Sequence, residues 1–146
     1  MPLEALRAFP VVVTLPIEWG DQDAMGHVNN TIYLRWSETA RIAYLMRLGV
    51  WRDSPAQQFG PILASITCHF RVPLTFPDTV HIGSTVTVIG KSSFKMAHKI
   101  VSQNHGVVAA DLESTLVWLD YHAAKSVHVP AGMREAIEKL EDRSFK

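Results

Sequence analysis

Residues 17–36, "IEWGDQDAMGHVNNTIYLRW", join a strand-like run to a helix-like run. Two aspartates, two glycines, a histidine and two adjacent asparagines are packed into that joint. Two readings are open. In one, Asp21 and Asp23 form Asx turns, Gly26 supplies a positive φ, and Asn29 or Asn30 caps the helix. In the other, the same helix start is a site. Its unpaired N–H groups and partial positive charge polarise a carbonyl, while a nearby carboxylate attacks it or activates a water.

Upstream, "VVVTLPIEW" (11–19) is β-branched and apolar and predicts a strand. Pro16 suits its edge or a bulge, since it cannot donate to a ladder. Downstream, Ile32, Trp36, Ala40, Ala43, Tyr44 and Leu48 recur three to four apart. That spacing predicts a helix over 29–48, with Gly49 as its stop. Ala40 and Ala43 leave room for close packing. A polar stretch (52–60) follows, then strand-like blocks at 61–76, 78–93, 93–103 and 107–120. Val80, Ile82, Val86 and Val88 share one parity, and Gly83-Ser84 suggests a bulge or bend. "NHG" (104–106) offers a hairpin turn, and residues 130–142 a short helix entered at Pro130. One long helix with consecutive strands is an α+β pattern. Short connections favour an antiparallel meander, curved around the helix so as to bury it on most sides.

The chain of 146 residues suits one domain, residues 1–146, with a real core. A net formal charge of zero leaves no basic stripe for nucleic acid. The lone cysteine, Cys68, excludes an intramolecular disulfide and reads as a packed thiol. No targeting segment and no apolar run of membrane length appears, so no membrane insertion and a cytoplasmic address are expected. Seven histidines show no zinc spacing, and no nucleophile elbow, phosphate loop or dinucleotide fingerprint is present. No metal and no cofactor is expected.

"DQDAMGHVNNTIYLRWSETAR" (21–41) resembles the D-x-D-x-x-G-H-V-N-N-x-x-Y-x-x-x-x-E-x-A-R signature of hotdog-fold acyl-CoA thioesterases, the 4-hydroxybenzoyl-CoA thioesterase-like family. "HFRVPLTFPDTVHI" (69–82), "GKSSFKMAHKI", "AADLESTLVWLD" and "KSVHVP" resemble later segments of the same family, so the likeness covers about residues 10–131. The resemblance implies a hotdog fold: a curved antiparallel sheet wrapped around one long central helix. It also implies a homodimer or homotetramer with sites shared across subunits.

Carried over residue by residue, the family's catalytic carboxylate falls on Asp23, and Asp21 matches a structural partner. Gly26 matches the glycine that admits the ligand against the backbone. His27 either positions the thioester or a water, or is a helix-start residue with a local partner. Asn30 falls where the helix's first amide points at the thioester carbonyl. Tyr33 is a candidate acyl-lining residue, with Trp36, Tyr44 and Phe59. Glu38 either touches the acyl end of the pocket or pairs with Arg41 three residues on. Lys91 and Lys95 are candidates for the CoA phosphates.

The expected reaction is hydrolysis of an acyl or aryl-acyl thioester to free acid and CoA, with the Asn30 amide polarising the carbonyl. Asp23 acts as general base or as nucleophile through a mixed anhydride. Alternatives are an acyl-carrier-protein thioesterase, a non-catalytic acyl-CoA-binding or regulatory protein, and a dehydratase or hydratase of the same fold. An intact Asp23 motif disfavours mere binding, and no second motif supports hydration.

Overall fold

The structure, a computed structural model, describes residues 2–49 and 57–145. The expected polar stretch at 52–60 therefore lies outside the described residues up to position 56. A 3-10 turn (Pro2–Leu6) precedes β1 (Val11–Pro16), and α1 (Asn30–Arg47) follows. Then come β2 (Phe59–Phe70), β3 (Thr79–Ile89), β4 (Ser93–Ser102), β5 (Val108–Asp120), the short β6 (Lys125–Ser126) and α2 (Ala131–Glu141).

The strands form one antiparallel sheet in the order β1-β3-β4-β5-β2, with β6 beside β5. Only β3, β4 and β5 form the expected meander. β2 does not pair with β3; it crosses the sheet and pairs along β5, from Phe59–Asp120 to Phe70–Ala110. The segment between β2 and β3 contains Pro73 and Pro77, which suit a crossing connection better than a tight hairpin. β1 then takes the free edge of β3.

α1 lies on the inner face of this sheet. It buries Tyr33, Trp36, Ala40, Tyr44 and Leu45, and with them the polar Ser37 and Arg41. The buried stripe is thus turned slightly from the apolar spacing, leaving Ile32, Ala43 and Leu48 only partly covered. Burial on most sides is not found: Leu34, Arg35, Thr39 and Met46 face outward. Two clusters fill the space beneath the helix. One centres on Trp36, Ala40, Leu74, Val80, Ile82, Ile100 and Leu112. The other centres on Tyr44, Phe94, Met96, Leu116 and α2's Met133 and Ile137.

Two local expectations are corrected. The irregularity of β3 sits between Val86 and Val88, not at Gly83-Ser84. An extra residue there reverses the side-chain parity, so Val88 turns outward and Ile89 inward. Gly83 has another cause: a Cβ there would stand 2.7 Å from Phe9 Cγ and 2.9 Å from Leu6 Cδ2. The N-terminal turn packs on that bare backbone. Gly106 does adopt positive φ at the β4–β5 turn. Among the described residues no helix is long and apolar enough to cross a membrane.

Candidate active site

The joint folds through its own polar groups. Asp21 is buried. Its carboxylate accepts from the Glu18 N–H at 2.8 Å and from the Arg35 guanidinium at 3.3 Å, and its carbonyl accepts from the Asn29 N–H at 2.9 Å. The first aspartate thus anchors the helix entry. A tight turn follows. The Asp23 N–H donates to the His27 carbonyl at 2.9 Å, and the Gly26 N–H to the Asp23 carbonyl at 3.0 Å. Gly26 sits at φ 82° with open space where a Cβ would go, so the requirement is the left-handed backbone and not crowding.

Asn29 is the N-cap: its side-chain oxygen accepts from the Thr31 N–H at 2.9 Å and from the Thr31 hydroxyl at 2.8 Å. The Ile32 N–H bonds the Asn29 carbonyl. Asn30 is the first helical residue. Its N–H has no intrahelical acceptor by geometry and no other partner among the described residues. One strong donor is therefore left at the positive end of an 18-residue helix.

Asn30 lines a cleft of ≈ 240 Å³ whose walls also include His27, Tyr33, Phe70, Arg71 and Val72. Tyr33 is held by its ring against Phe70 (edge to face, centroids 5.1 Å apart) and Trp36 (5.4 Å), with its hydroxyl 3.4 Å from the Val72 carbonyl. Burial pushes the Tyr33 phenol's pKa up, which keeps it protonated. Asp23 lies in the exposed turn beside this cleft and does not form its wall. One of its oxygens accepts from the Met25 N–H at 2.9 Å, and the carboxylate is otherwise open to solvent.

The structure thus gathers His27, Asn30 and Tyr33 at one cleft, with Asp23 and Gly26 in the adjoining turn. Glu38 lines a second cavity further along α1 together with Arg41. The two are not within ion-pair distance, and the pair that their spacing suggests is not formed. Burial pushes the Arg41 pKa down, and Glu38's charge opposes that. Lys91 and Lys95 are not brought to the cleft. Lys91 lies in the β3–β4 turn, where its carbonyl accepts from Val129, at the opposite end of β3 from α1's start. Lys95 lines an outer groove beside Thr87 and Glu113. The cation at the cleft is Arg71, which sequence reasoning passed over. Its guanidinium reaches Asp111 at 2.9 and 3.4 Å, which raises its pKa further and fixes its direction. Phe70 and Arg71 stand inside the motif-bearing stretch 69–82, which was the available signal. Cys68 is an unpromising nucleophile, because burial and then Asp111 push its thiol up to about 11.

A profile of the thioesterase-like superfamily matches residues 17–137, from the start of the joint, just after β1, into α2. The chain belongs to the thioesterase-like superfamily. Among relatives in this superfamily, the long-chain acyl-CoA thioesterase FadM of Escherichia coli is 26% identical over 118 residues, covering 81% of this chain and 89% of FadM. A thioesterase from Thermus thermophilus solved with coenzyme A and zinc is 31% identical, covering 95% of this chain and 99% of that one at TM-score 0.82. A gentisyl-coenzyme A thioesterase is 28% identical, covering 86% and 98% at TM-score 0.76. The curved sheet on a long helix is the hotdog fold of these thioesterases. Among the described residues no cluster of three or more His, Cys, Asp or Glu side chains is placed to hold a metal.

Proposed function

We propose that this thioesterase-superfamily chain hydrolyses acyl-CoA thioesters at the start of α1. The observation that carries the reading is the unpartnered N–H of Asn30, a residue that lines a cleft, with the solvent-exposed carboxylate of Asp23 in the adjoining turn. The thioester carbonyl accepts from the Asn30 N–H, which gains strength as negative charge grows on that oxygen. Asp23 takes a proton from water as the water oxygen bonds to the carbonyl carbon. The tetrahedral intermediate then collapses and expels the CoA thiolate, which is protonated from solvent. In the other route Asp23 bonds the carbonyl carbon directly, and water later opens the mixed anhydride. Both routes need ionised Asp23. His27 lines the cleft beside Asn30, where it positions the thioester or the water.

Tyr33, Phe70 and Val72 give the acyl group an apolar wall, and Arg71 supplies a cation for a CoA phosphate. Lys91 and Lys95, remote within one chain, serve the nucleotide only if a second copy brings them round. A second copy also fits the sheet. β2 is an end strand of 12 residues whose outer edge has no partner among the described residues, and it exposes Phe59, Ile62, Leu63 and Phe70. Such an edge is a template for pairing. We therefore read the working form as a homodimer or a tetramer built from it, closing the cleft between copies.

Thiol release from short, long and aromatic acyl-CoAs, by the natural chain and by Asp23→Asn, tests the reading. A positioned base contributes roughly 10²–10⁴-fold, so kcat is expected to fall by at least about 10² with circular dichroism unchanged. Asp23→Asn turnover equal to that of the natural chain contradicts the role. Hydration of enoyl-CoA without thiol release contradicts the reaction.

A further inference from the structure

Arg41 is placed at odds with its charge. It is 6% exposed, and it makes no hydrogen bond and no ion pair among the described residues. Its Nη1 is fully enclosed without a partner. A guanidinium stays charged, so an enclosed Nη1 whose N–H donors are unsatisfied calls for an acceptor. The sheet face beneath α1 offers little help. Ser84 and His98 stand opposite each other on β3 and β4, Ser114 lies on β5, and their buried polar atoms are unpartnered too.

Arg41 lines a cavity of ≈ 510 Å³ between α1 and β2. Leu45, Ile62, Leu63 and Leu116 make it apolar, and Glu38 stands at its wall. This cavity and the Asn30 cleft share the same two elements. Phe70 of β2 meets Tyr33 at the start of α1, and Ile62 meets its later turns, because the strand runs back along the helix. Eleven residues separate Asn30 from Arg41, about 16 Å at the helical rise. An extended chain gains roughly 1.2 Å per bond, so about 13 bonds cover that distance.

We propose that the α1–β2 cavity seats the far end of the acyl group and that Arg41 receives an oxygen there. The preferred substrate is then a long-chain acyl thioester bearing a terminal hydroxyl or carboxylate. A hydroxyl accepts from Arg41 and donates to Glu38; a carboxylate pairs with Arg41 alone. The proposal rests on the carbonyl lying at Asn30.

The test compares tetradecanoyl-CoA, 14-hydroxytetradecanoyl-CoA and the mono-CoA thioester of tetradecanedioic acid. Binding of the same tails as non-hydrolysable CoA thioethers is read in parallel. At least a tenfold advantage in kcat/KM and in Kd is expected for one oxygenated tail, and which tail wins names the oxygen. Equal or better use of the methyl-ended tail overturns the proposal while leaving the thioesterase standing. Selective binding with no hydrolysis of any thioester overturns the thioesterase reading instead. Arg41→Met is expected to erase the advantage and Arg41→Lys to retain part of it. Should both fail to fold, Ile42→Trp fills the cavity from α1, away from the β2 edge. It is expected to raise KM for tetradecanoyl-CoA at least tenfold more than for butanoyl-CoA, and an equal effect on both overturns the proposal.

Discussion

Single residues show where a polar side chain's role depends on its surroundings. Asp21 and Asp23 are two positions apart and chemically identical. One is buried under three hydrogen bonds, and the other keeps its carboxylate in solvent beside the cleft. His98 is a second case. Its ring is buried under α1, and desolvation, then the Arg41 charge, lower its pKa to about 3. An unfolded chain takes that proton near pH 6.5. Between those values the unfolded state binds more protons than the folded one, so stability is full above pH 6.5 and is lost as the pH falls toward 3. The slope from this group is at most about 1.4 kcal/mol per pH unit. Urea unfolding at pH 7, 6 and 5 is expected to show that loss, and His98→Phe to reduce it; identical slopes contradict it. At this scale the turn and cap of the joint were readable in the sequence, because Asp, Gly and Asn act there through local backbone geometry. Arg41 and Arg71 were not. A guanidinium's burial or direction is set by strands distant in the chain, and nothing beside it in sequence records that.

Elements were legible where their limits are local. α1 was expected over 29–48 and runs Asn30–Arg47, since the Asn29 cap and the positive φ of Gly49 are both written in the chain. The strands appeared in place, but their neighbours did not. β2 pairs with β5 across an interval of about 50 residues, and no pattern within β2 specifies that. The outward turn of Val88 follows from a bulge that an alternating pattern conceals. α2 shows how an end element is held. Its Glu141 carboxylate accepts from the Tyr44 hydroxyl at 2.5 Å, the Thr85 hydroxyl at 2.5 Å and the Val86 N–H at 2.9 Å. One side chain thus joins α1, β3 and α2. Burial and the Glu141 carboxylate together raise the Tyr44 pKa, so the phenol stays a donor throughout the working range. Glu141→Ala leaves those donors short of an acceptor and is expected to cost about 2 kcal/mol. Thermal unfolding should then fall by roughly 5–8 °C. An unchanged Tm contradicts a holding role.

At the scale of the molecule, the sheet's two free edges differ. β1 is short and ends in Pro16, which blunts pairing. β2 is long and carries exposed Ile62, Leu63 and Phe70. Association through β2 is therefore expected, with a solution mass by light scattering of twice or four times 16.3 kDa. A stable monomer at working concentration contradicts it. The same geometry explains why one helix supports both halves of the proposed chemistry. In that proposal its first amide takes the reacting carbonyl, and its later turns, spaced along β2, take what is attached to that carbonyl.

The central claim is that the Asn30 amide binds the developing oxyanion, and it can be removed by one substitution. Proline is tolerated at the first helical position, and Asn29 already holds φ −63° and ψ 140°, a conformation that suits a residue before proline. Asn30→Pro therefore deletes the N–H while keeping the Asn29 cap, and Asn30→Ala keeps the N–H while deleting the side chain. Thioester hydrolysis by the two variants is the measurement. The expected result is a fall in kcat of roughly 10²–10³ in Asn30→Pro, with Asn30→Ala close to the natural chain. Equal turnover by both variants, with both folded, contradicts the account.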